Sequence, residues 1–488
     1  MDTLTQIVSD INSILWGPWC LIPLLVGAGI FFTVTLRFEQ VRLFGRAVRH
    51  VFGGVSLFGE KAGRHGMTSF QSLTTAIAAQ VGTGNLAGVA TAMASGGPGA
   101  IFWMWLAAFF GMSTIFAEAV LAQLYRTKDE KGHIIGGPAF YIANGLGSKP
   151  MAAFFAVCSI IALGFIGSMV QANSISYAFD SAFHIPTWAT GIFIMLLGGF
   201  VFFGGIRRIA SFTEKMVPLM ALVYVLGSIY IALEFWDQII PAIKAIFVGA
   251  FNPSAATGGV IGATVREAIR YGVARGLFSN EAGMGSTPHA HAVARVQHPA
   301  QQGLAAFIGL FVDTFIVLTA TAGVIMVTGS LDGQHTGIEL TQMAFTRGMG
   351  EAGSGFVAVC LFFAAFTTIV GWYFFASQNI KYLFGYKFLN TFSVIVLCFI
   401  MLGSFLKVDL VWELTDLFNG FMVIPNIIAI VCLYKLVGRA CRDFEQNFDQ
   451  DKQCEFGSSA ELTCKLSPSQ EKEGAAQTDA EQQAPEEK

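Results

Sequence analysis

Apolar runs of about 20 residues, separated by short polar connections, repeat along most of the chain. They fall near 14–36, 68–93, 97–122, 151–178, 187–206, 216–236, 260–286, 302–328, 354–378, 388–405 and 413–437. Runs of that length match an α-helix crossing the hydrocarbon core of a bilayer. The runs of about 10 alternating residues typical of a membrane barrel do not appear. The pattern predicts an all-α polytopic membrane protein with about 11 transmembrane helices. Two shorter amphipathic stretches, 237–249 and 338–348, are expected to lie in the membrane interface.

Two of the runs are interrupted. Gly82-Thr83-Gly84-Asn85 breaks the run at 68–93, and a second interrupted segment extends from Gly272 to Gly285. Backbone groups left open at membrane depth are costly unless something binds them. One break by itself is equally well read as a glycine hinge or a tight helix crossing. Two at matching places in two halves of a chain mark the central site of a secondary transporter. With the helix at 14–36 set aside as peripheral, ten helices divide into repeats at 68–236 and 260–437, each starting at a broken helix. Five helices per repeat is an odd number, so the second repeat must be inverted relative to the first.

Composition agrees with this layout. The 488 residues are 54% hydrophobic and 12% charged, with a mean hydropathy of +0.60. A soluble chain carries about 25% charged residues. The 54 glycines and 46 phenylalanines suit closely packed membrane helices. The net charge of −3 hides a tail, 441–488, in which 12 acidic residues face 4 lysines and Arg442. That tail is expected to be disordered; the transmembrane domain, 1–440, is mildly basic. Nothing suggests nucleic acid as a partner. The eight cysteines are scattered, without the spacing of a metal site or disulfide framework. The first run lacks a basic flank and a cleavage site, and is expected to be retained as a helix.

Connections assigned alternately to the two sides hold 19 Lys and Arg residues on one side, among them Arg42, Lys61, Arg64, Lys128, Arg207 and Arg442. The other side holds three, Lys244, Arg347 and Lys407. The positive-inside rule then predicts an outside N-terminus and a cytoplasmic C-terminus in a plasma (inner) membrane.

The stretch Gly96-Gly97-Pro98-Gly99-Ala100-Ile101-Phe102-Trp103-Met104-Trp105, followed by Gly111, resembles the signature of the alanine or glycine:cation symporters, also called sodium:alanine symporters. Gly82-Thr83-Gly84-Asn85-Leu86-Ala87-Gly88-Val89-Ala90 and Phe278-Ser279-Asn280-Glu281-Ala282-Gly283 resemble that family's broken helices. The resemblance runs to about residue 440. It implies a leucine-transporter-type fold of the amino acid–polyamine–cation superfamily, and import of a small neutral amino acid, alanine or glycine, coupled to Na⁺. No cofactor is implied beyond Na⁺ as coupling ion. Trp103 and Trp105 read as packing anchors rather than ligands.

The same resemblance places sodium at the carbonyls of Ala78 and Val81 on the first broken helix, with Ala364, Thr367 and Thr368 on the eighth core helix. The spacing of those last three puts oxygens on one helix face, and a hard cation favours oxygen ligands. The two hydroxyls could instead bond within their own helix. For the amino acid it points to Gln80, Gly82, Thr83, Gly84 and Asn85, and to Gly276, Phe278 and Ser279 around the second break. Carbonyls ending one half-helix suit the ammonium, and amides opening the next suit the carboxylate. Of Gln171 and Asn173, which can point to opposite faces, Asn173 is the expected substrate contact. Trp372, four residues after Thr368, is expected to wall the pocket.

Glu118, Arg275, Glu281 and Asp313 lie within apolar runs, where a charge is costly. They read either as an internal bonding network or as a proton relay or gate. Arg266, Glu267 and Arg270 share a helix face near the outer end of the second broken helix and are expected to pair and face water. His289 and His291 have no further ligands nearby and read as structural. Other readings are a proton-coupled carrier, and serine or glutamine as main substrate. An ion channel or receptor fits paired breaks less well than a symmetric filter. A membrane-embedded enzyme would need a nucleophile–base pair or metal ligands that no segment offers.

Overall fold

The structure is a computed structural model that describes residues 2–17, 19–53, 67–252, 264–406, 408–447, 452–456 and 462–466. An N-terminal arm holds α1 (Asp2–Leu15), α2 (Leu21–Thr35), α3 (Glu39–Arg42) and α4 (Phe44–Gly53). The first broken helix is α5 (Ser69–Gln80) and α6 (Val89–Gly96), joined through a wide π-type turn at Gly84–Gly88. Next come α7 (Ala100–Leu124), a short strand pair (Thr127–Lys128 with Ile134–Ile135) and α8 (Pro138–Gly145). A π-type stretch, Ile160–Gly167, joins α9 (Lys149–Ser159) to α10 (Ser168–Phe183). Then follow α11 (Thr187–Phe202), α12 (Gly205–Glu234) and α13 (Ile239–Phe251).

The second half opens with α14 (Val265–Asn280) and α15 (Pro288–Val293). It continues through α16 (Pro299–Phe311), α17 (Thr319–Val327), α18 (Gly337–Met349), α19 (Ala352–Phe384), α20 (Leu389–Gly403) and α21 (Val408–Cys432), and ends in α22 (Tyr434–Asn447). Helices thus occupy all eleven apolar segments, and α13 and α18 occupy the two amphipathic ones. Among the described residues, seven helices are long and apolar enough to cross a membrane, while α2 and α11 are shorter apolar helices. The first broken helix is divided by its own break.

Both broken helices start in the same way. Thr68 accepts from the amide of Gln71 while the Gln71 side chain accepts from the Thr68 amide. Thr264 and Glu267 repeat this reciprocal cap, 196 residues later. Such a box satisfies two of the amides that a helix start leaves open. The same cap thus opens α5 and α14.

The core is built from α7 packed on α14 and α16, and α10 packed on α19, with α5 touching both groups; Phe116, Phe155 of α9, Phe307, Phe366 and Phe375 fill it, all fully buried. Around it, α12 turns Leu219, Leu222, Leu226 and Leu233 outward, each more than half exposed. A continuous apolar face of this kind is stable against lipid and costly against water.

Four expectations need correction. The second break is later than Gly272: the chain is regular helix to Asn280 and opens at Glu281, whose φ of 59° is left-handed. Gly272 and Gly276 serve helix packing, because a Cβ at Gly272 would stand 2.4 Å from the Ala100 carbonyl oxygen and one at Gly276 would stand 3.3 Å from Met104. The expected Arg266–Glu267–Arg270 pairing is absent, because Glu267 is held by Thr264 in its own cap. The domain boundary at 440 falls inside α22, which buries Cys441 and Phe444 and runs on to Asn447. Beyond it, strands Lys452–Phe456 and Leu462–Leu466 pair antiparallel, in a tail expected to be disordered. Lys61, Arg64, Lys407 and the remainder of the tail lie outside the described residues.

Candidate functional site

The first break leaves its helix at Val81, whose backbone is extended (φ −79°, ψ 92°). This turns the carbonyls of Ala78 and Val81 toward α19. There the Thr368 hydroxyl lies 2.9 Å from the Ala78 oxygen, 3.4 Å from the Val81 oxygen and 3.1 Å from the Ala364 oxygen. Four of the five expected cation ligands therefore converge on one buried point. Thr367 is turned aside: its hydroxyl donates to its own helix at Ala364 (2.8 Å) and lies 3.6 Å from the Met220 sulfur. The convergence needs a glycine beside it, since a Cβ at Gly82 would stand 2.4 Å from Thr368 Oγ1.

The expected substrate residues divide into three groups. Gln80, Gly84, Asn85 and Ser279 join the two broken helices. Gln80 Nε2 donates to the Asn280 carbonyl at 2.8 Å. A Cβ at Gly84 would stand 3.0 Å from Ser279 Cα, so the two breaks touch through backbone. Gly82 and Thr83 present amides that side chains occupy: Asn85 Oδ1 accepts from Gly82 (3.1 Å) and Gln171 Oε1 accepts from Thr83 (3.3 Å). The Thr83 hydroxyl is buried without a hydrogen-bond partner. The third group is the aromatic wall. Phe278 meets Trp372 edge-to-face at 6.4 Å and tilts against Trp412 at 5.5 Å, and Trp372 Nε1 donates to Glu281 Oε1 at 2.5 Å.

Asn173 and Gly276 stand apart from this cluster. Asn173 donates to the carbonyls of Gly403 and Leu406, both at 2.9 Å, tying α10 to the end of α20. Gln171 is the residue of α10 that reaches the break.

Asp313 is also central, and sequence reasoning left its role open. Its Oδ1 accepts from Asn85 Nδ2 at 2.7 Å, and the Ser279 hydroxyl lies 3.3 Å from both carboxylate oxygens. One buried carboxylate thus bonds the first break and the last turn of α14, just before the second. The available signal was an acidic residue in an apolar run 34 positions after Ser279, a separation that says nothing about proximity until the helices are packed.

A model of the sodium:alanine symporter family matches residues 1–458. The chain belongs to the sodium:alanine symporter family. It is 42% identical over 458 residues to an uncharacterized transporter of Haemophilus influenzae, covering 92% of this chain and 99% of that one. It is 40% identical over 449 residues to the sodium/alanine symporter AgcS of Methanococcus maripaludis (90% and 97% covered). It is 39% identical over 446 residues to the probable sodium/glutamine symporter GlnT of Bacillus subtilis (90% and 91% covered). Among solved structures it is similar to MhsT in complex with L-phenylalanine, at a TM-score of 0.55 and 12% identity, over 78% of this chain and 98% of that one. That likeness concerns the fold alone, which is of the leucine-transporter type.

In this member of the symporter family the remaining intramembrane charges all have partners. Arg275 pairs with Asp416 at 3.0 Å, joining α14 to α21 beside Phe278 and Trp412. Glu118 accepts from the amides of Gly283 (3.2 Å) and Gly285 (3.0 Å) and from Asn426 Nδ2 (2.5 Å). The opened strand after Asn280 therefore rests on a carboxylate from α7, which supplies the acceptors that the missing helix turns would have provided. His289 stacks between Phe155 and Phe375 and bonds the Ser286 carbonyl and Asn379, while His291 bonds Gln302. Burial pushes both imidazoles down to about 4. Trp103 and Trp105 donate to the Ala250 carbonyl and the Thr319 hydroxyl, as packing anchors do.

Proposed function

We propose that this protein is a carrier, not an enzyme, that moves a small neutral amino acid, alanine or glycine first, into the cytoplasm together with Na⁺. The observation that carries the reading is the Thr368 hydroxyl set among the carbonyls of Ala78, Val81 and Ala364. These are oxygen ligands for a hard cation without net charge of their own. The single Thr368 proton has these three carbonyls within reach, Ala78 nearest; with Na⁺ among them that proton would turn away and a lone pair would face the ion.

The amino acid would lie between the two breaks. Its carboxylate would take the amides of Gly82 and Thr83, displacing Asn85 Oδ1 and Gln171 Oε1, which accept from them here. Phe278 and Trp372 would bound the side-chain end and favour a small residue. Because the cation ligands precede the break and the amides follow it, ordering by either ligand favours the other, and the coupling is reciprocal. Eleven crossings, an outside N-terminus and a cytoplasmic C-terminus complete the reading. Alternating access would come from one helical bundle rocking against the other.

Asp313 supports a second reading. A buried carboxylate bonded to the first break and to the last turn of α14 is positioned to take up and release a proton as they separate, which would make the carrier proton-coupled. Serine or glutamine are the competing substrates.

The test is uptake of labelled alanine into liposomes holding the purified protein, under an imposed Na⁺ or H⁺ gradient, with glycine, serine and glutamine as competitors. The expected result is accumulation driven by Na⁺ and inhibited most by glycine. Uptake driven by protons alone would replace sodium with Asp313 chemistry. Absence of gradient-driven uptake of all four amino acids would reject the carrier reading.

A further inference from the structure

A groove of about 490 Å³ lies between α2, α7 and α14, away from the broken-helix site. Its walls are apolar, with Ile22 and Val26 on one side and Leu106 and Phe110 on another. Arg266 and Arg270 line it too. The depth order follows from helix contacts. Gly272 meets Ala100 and Trp103, and Gly276 meets Met104, so α7 and α14 run side by side in the same direction. Arg266 and Arg270 precede Gly272 and stand at the end where both helices begin. Leu106 and Phe110 follow Met104 and lie deeper along the same groove.

The two guanidiniums have no carboxylate partner among the described residues. Glu267, the acid between them, is occupied by the Thr264 cap, and the neighbouring segment 253–263 contains no Asp or Glu. Two like charges one helical turn apart raise each other's energy, and no described carboxylate neutralises them. An aqueous vestibule would be lined with polar groups; this groove is apolar below its arginines. A paired cationic mouth over an apolar slot of this kind is complementary to one ligand chemistry, a phosphate carrying acyl chains.

We propose that the groove binds one anionic glycerophospholipid, its phosphate between Arg266 and Arg270 and an acyl chain along Ile22, Val26, Leu106 and Phe110. The lipid would wedge the peripheral α2 against α14, the half-helix that carries Phe278 and Ser279. The arginines act here as they do near membrane surfaces generally, each adding to attraction for anionic lipid, while their stems extend along apolar surface.

Native mass spectrometry of the full-length protein in detergent tests this, with phosphatidylglycerol and phosphatidylcholine of identical chains titrated separately. One phosphatidylglycerol adduct should be retained in preference to phosphatidylcholine. Arg266→Gln with Arg270→Gln should weaken it by about thirtyfold. Val26→Trp, which fills the slot and keeps both charges, should abolish it, whereas the double lysine variant should keep most of it. Equal retention of the two lipids by the unaltered protein, or undiminished phosphatidylglycerol binding by the glutamine variant, overturns the proposal. So does protection from heat by inorganic phosphate that matches phosphatidylglycerol and survives Val26→Trp, since that would be an anion site without a chain. Should the glutamine variant fail to fold, Val26→Trp against the lysine variant decides the question alone.

Discussion

At the scale of single residues, the candidate site turns on which of two adjacent threonines faces the break. Neighbours on an α-helix point about 100° apart, and both hydroxyls reach the Ala364 carbonyl. Thr368 also reaches Ala78 and Val81, while Thr367 lies against Met220. Thr368→Val keeps the shape and removes one oxygen. It should raise the Na⁺ concentration for half-maximal alanine uptake by on the order of tenfold, the scale of one hydrogen-bonding contact to a charge. Thr367→Val should leave that concentration within about twofold. Sodium titrations of uptake by the two variants check both statements, and equal effects would remove the distinction. The spacing of Ala364, Thr367 and Thr368 marks a polar patch on one helix. It does not say which hydroxyl is innermost, because that depends on the rotation of α19 against α5.

At the scale of elements, α10 shows how one helix serves two neighbours. Gln171 meets the first break and Asn173 meets the end of α20. The two side chains were legible as polar interruptions of an apolar run, and opposite faces were expected. The face that meets the break is set by packing. Gln171→Ala should therefore raise the KM for alanine several-fold with little change in melting temperature. Asn173→Ala should lower the melting temperature by a few degrees, the cost of one or two lost buried bonds, with KM nearly unchanged. Thermal unfolding and uptake kinetics of the purified variants separate the two roles; the reverse assignment would return Asn173 to the substrate. The misplacement of the second break has a similar origin. Glycine in an apolar run reads as a helix breaker, but Gly272 and Gly276 lie where α14 and α7 approach closely. The element opens instead at Glu281, beside Gly283 and Gly285, whose amides reach Glu118.

At the scale of the whole molecule, the N-terminal arm and the last helix close over the same end. Arg42 of α3 pairs with Glu445 of α22 at 2.6 Å, next to Glu39, which is fully buried. Burial pushes the Glu39 carboxyl up from 4.5 to about 7, with the Ser113 hydroxyl and the Arg42 charge pulling the other way and Glu445 adding to the rise. A carboxyl raised on folding contributes stability that is fully present below its unfolded value of 4.5 and is lost as pH rises through about 7. The protein should therefore melt at a lower temperature at about pH 8 than at about pH 5 as far as this group contributes. Glu39→Gln, neutral throughout, should shrink that difference. Melting curves of both proteins at the two pH values provide the check, and an unchanged difference would assign the dependence to other groups.

The sequence by itself determined the properties that are local along the chain. Run length sets membrane helices, because bilayer thickness and helical rise leave little choice. The polar interruption at Gly82-Thr83-Gly84-Asn85 marks a site, because open backbone in an apolar setting demands a partner. Two caps of the same kind, at Thr68 and Thr264, begin the two broken helices. Tertiary structure alone decided what depends on helices meeting. It set Thr368 against Ala78 and Val81, Gln171 against Thr83, and Asn173 against the end of α20. It brought Asp313 between Asn85 and Ser279, and it left Arg266 and Arg270 without an acid among the described residues. Each is a matter of rotation and depth between packed helices. A one-residue step turns a side chain through more than a quarter circle, so a pattern that fixes the face of a helix still leaves its partner open.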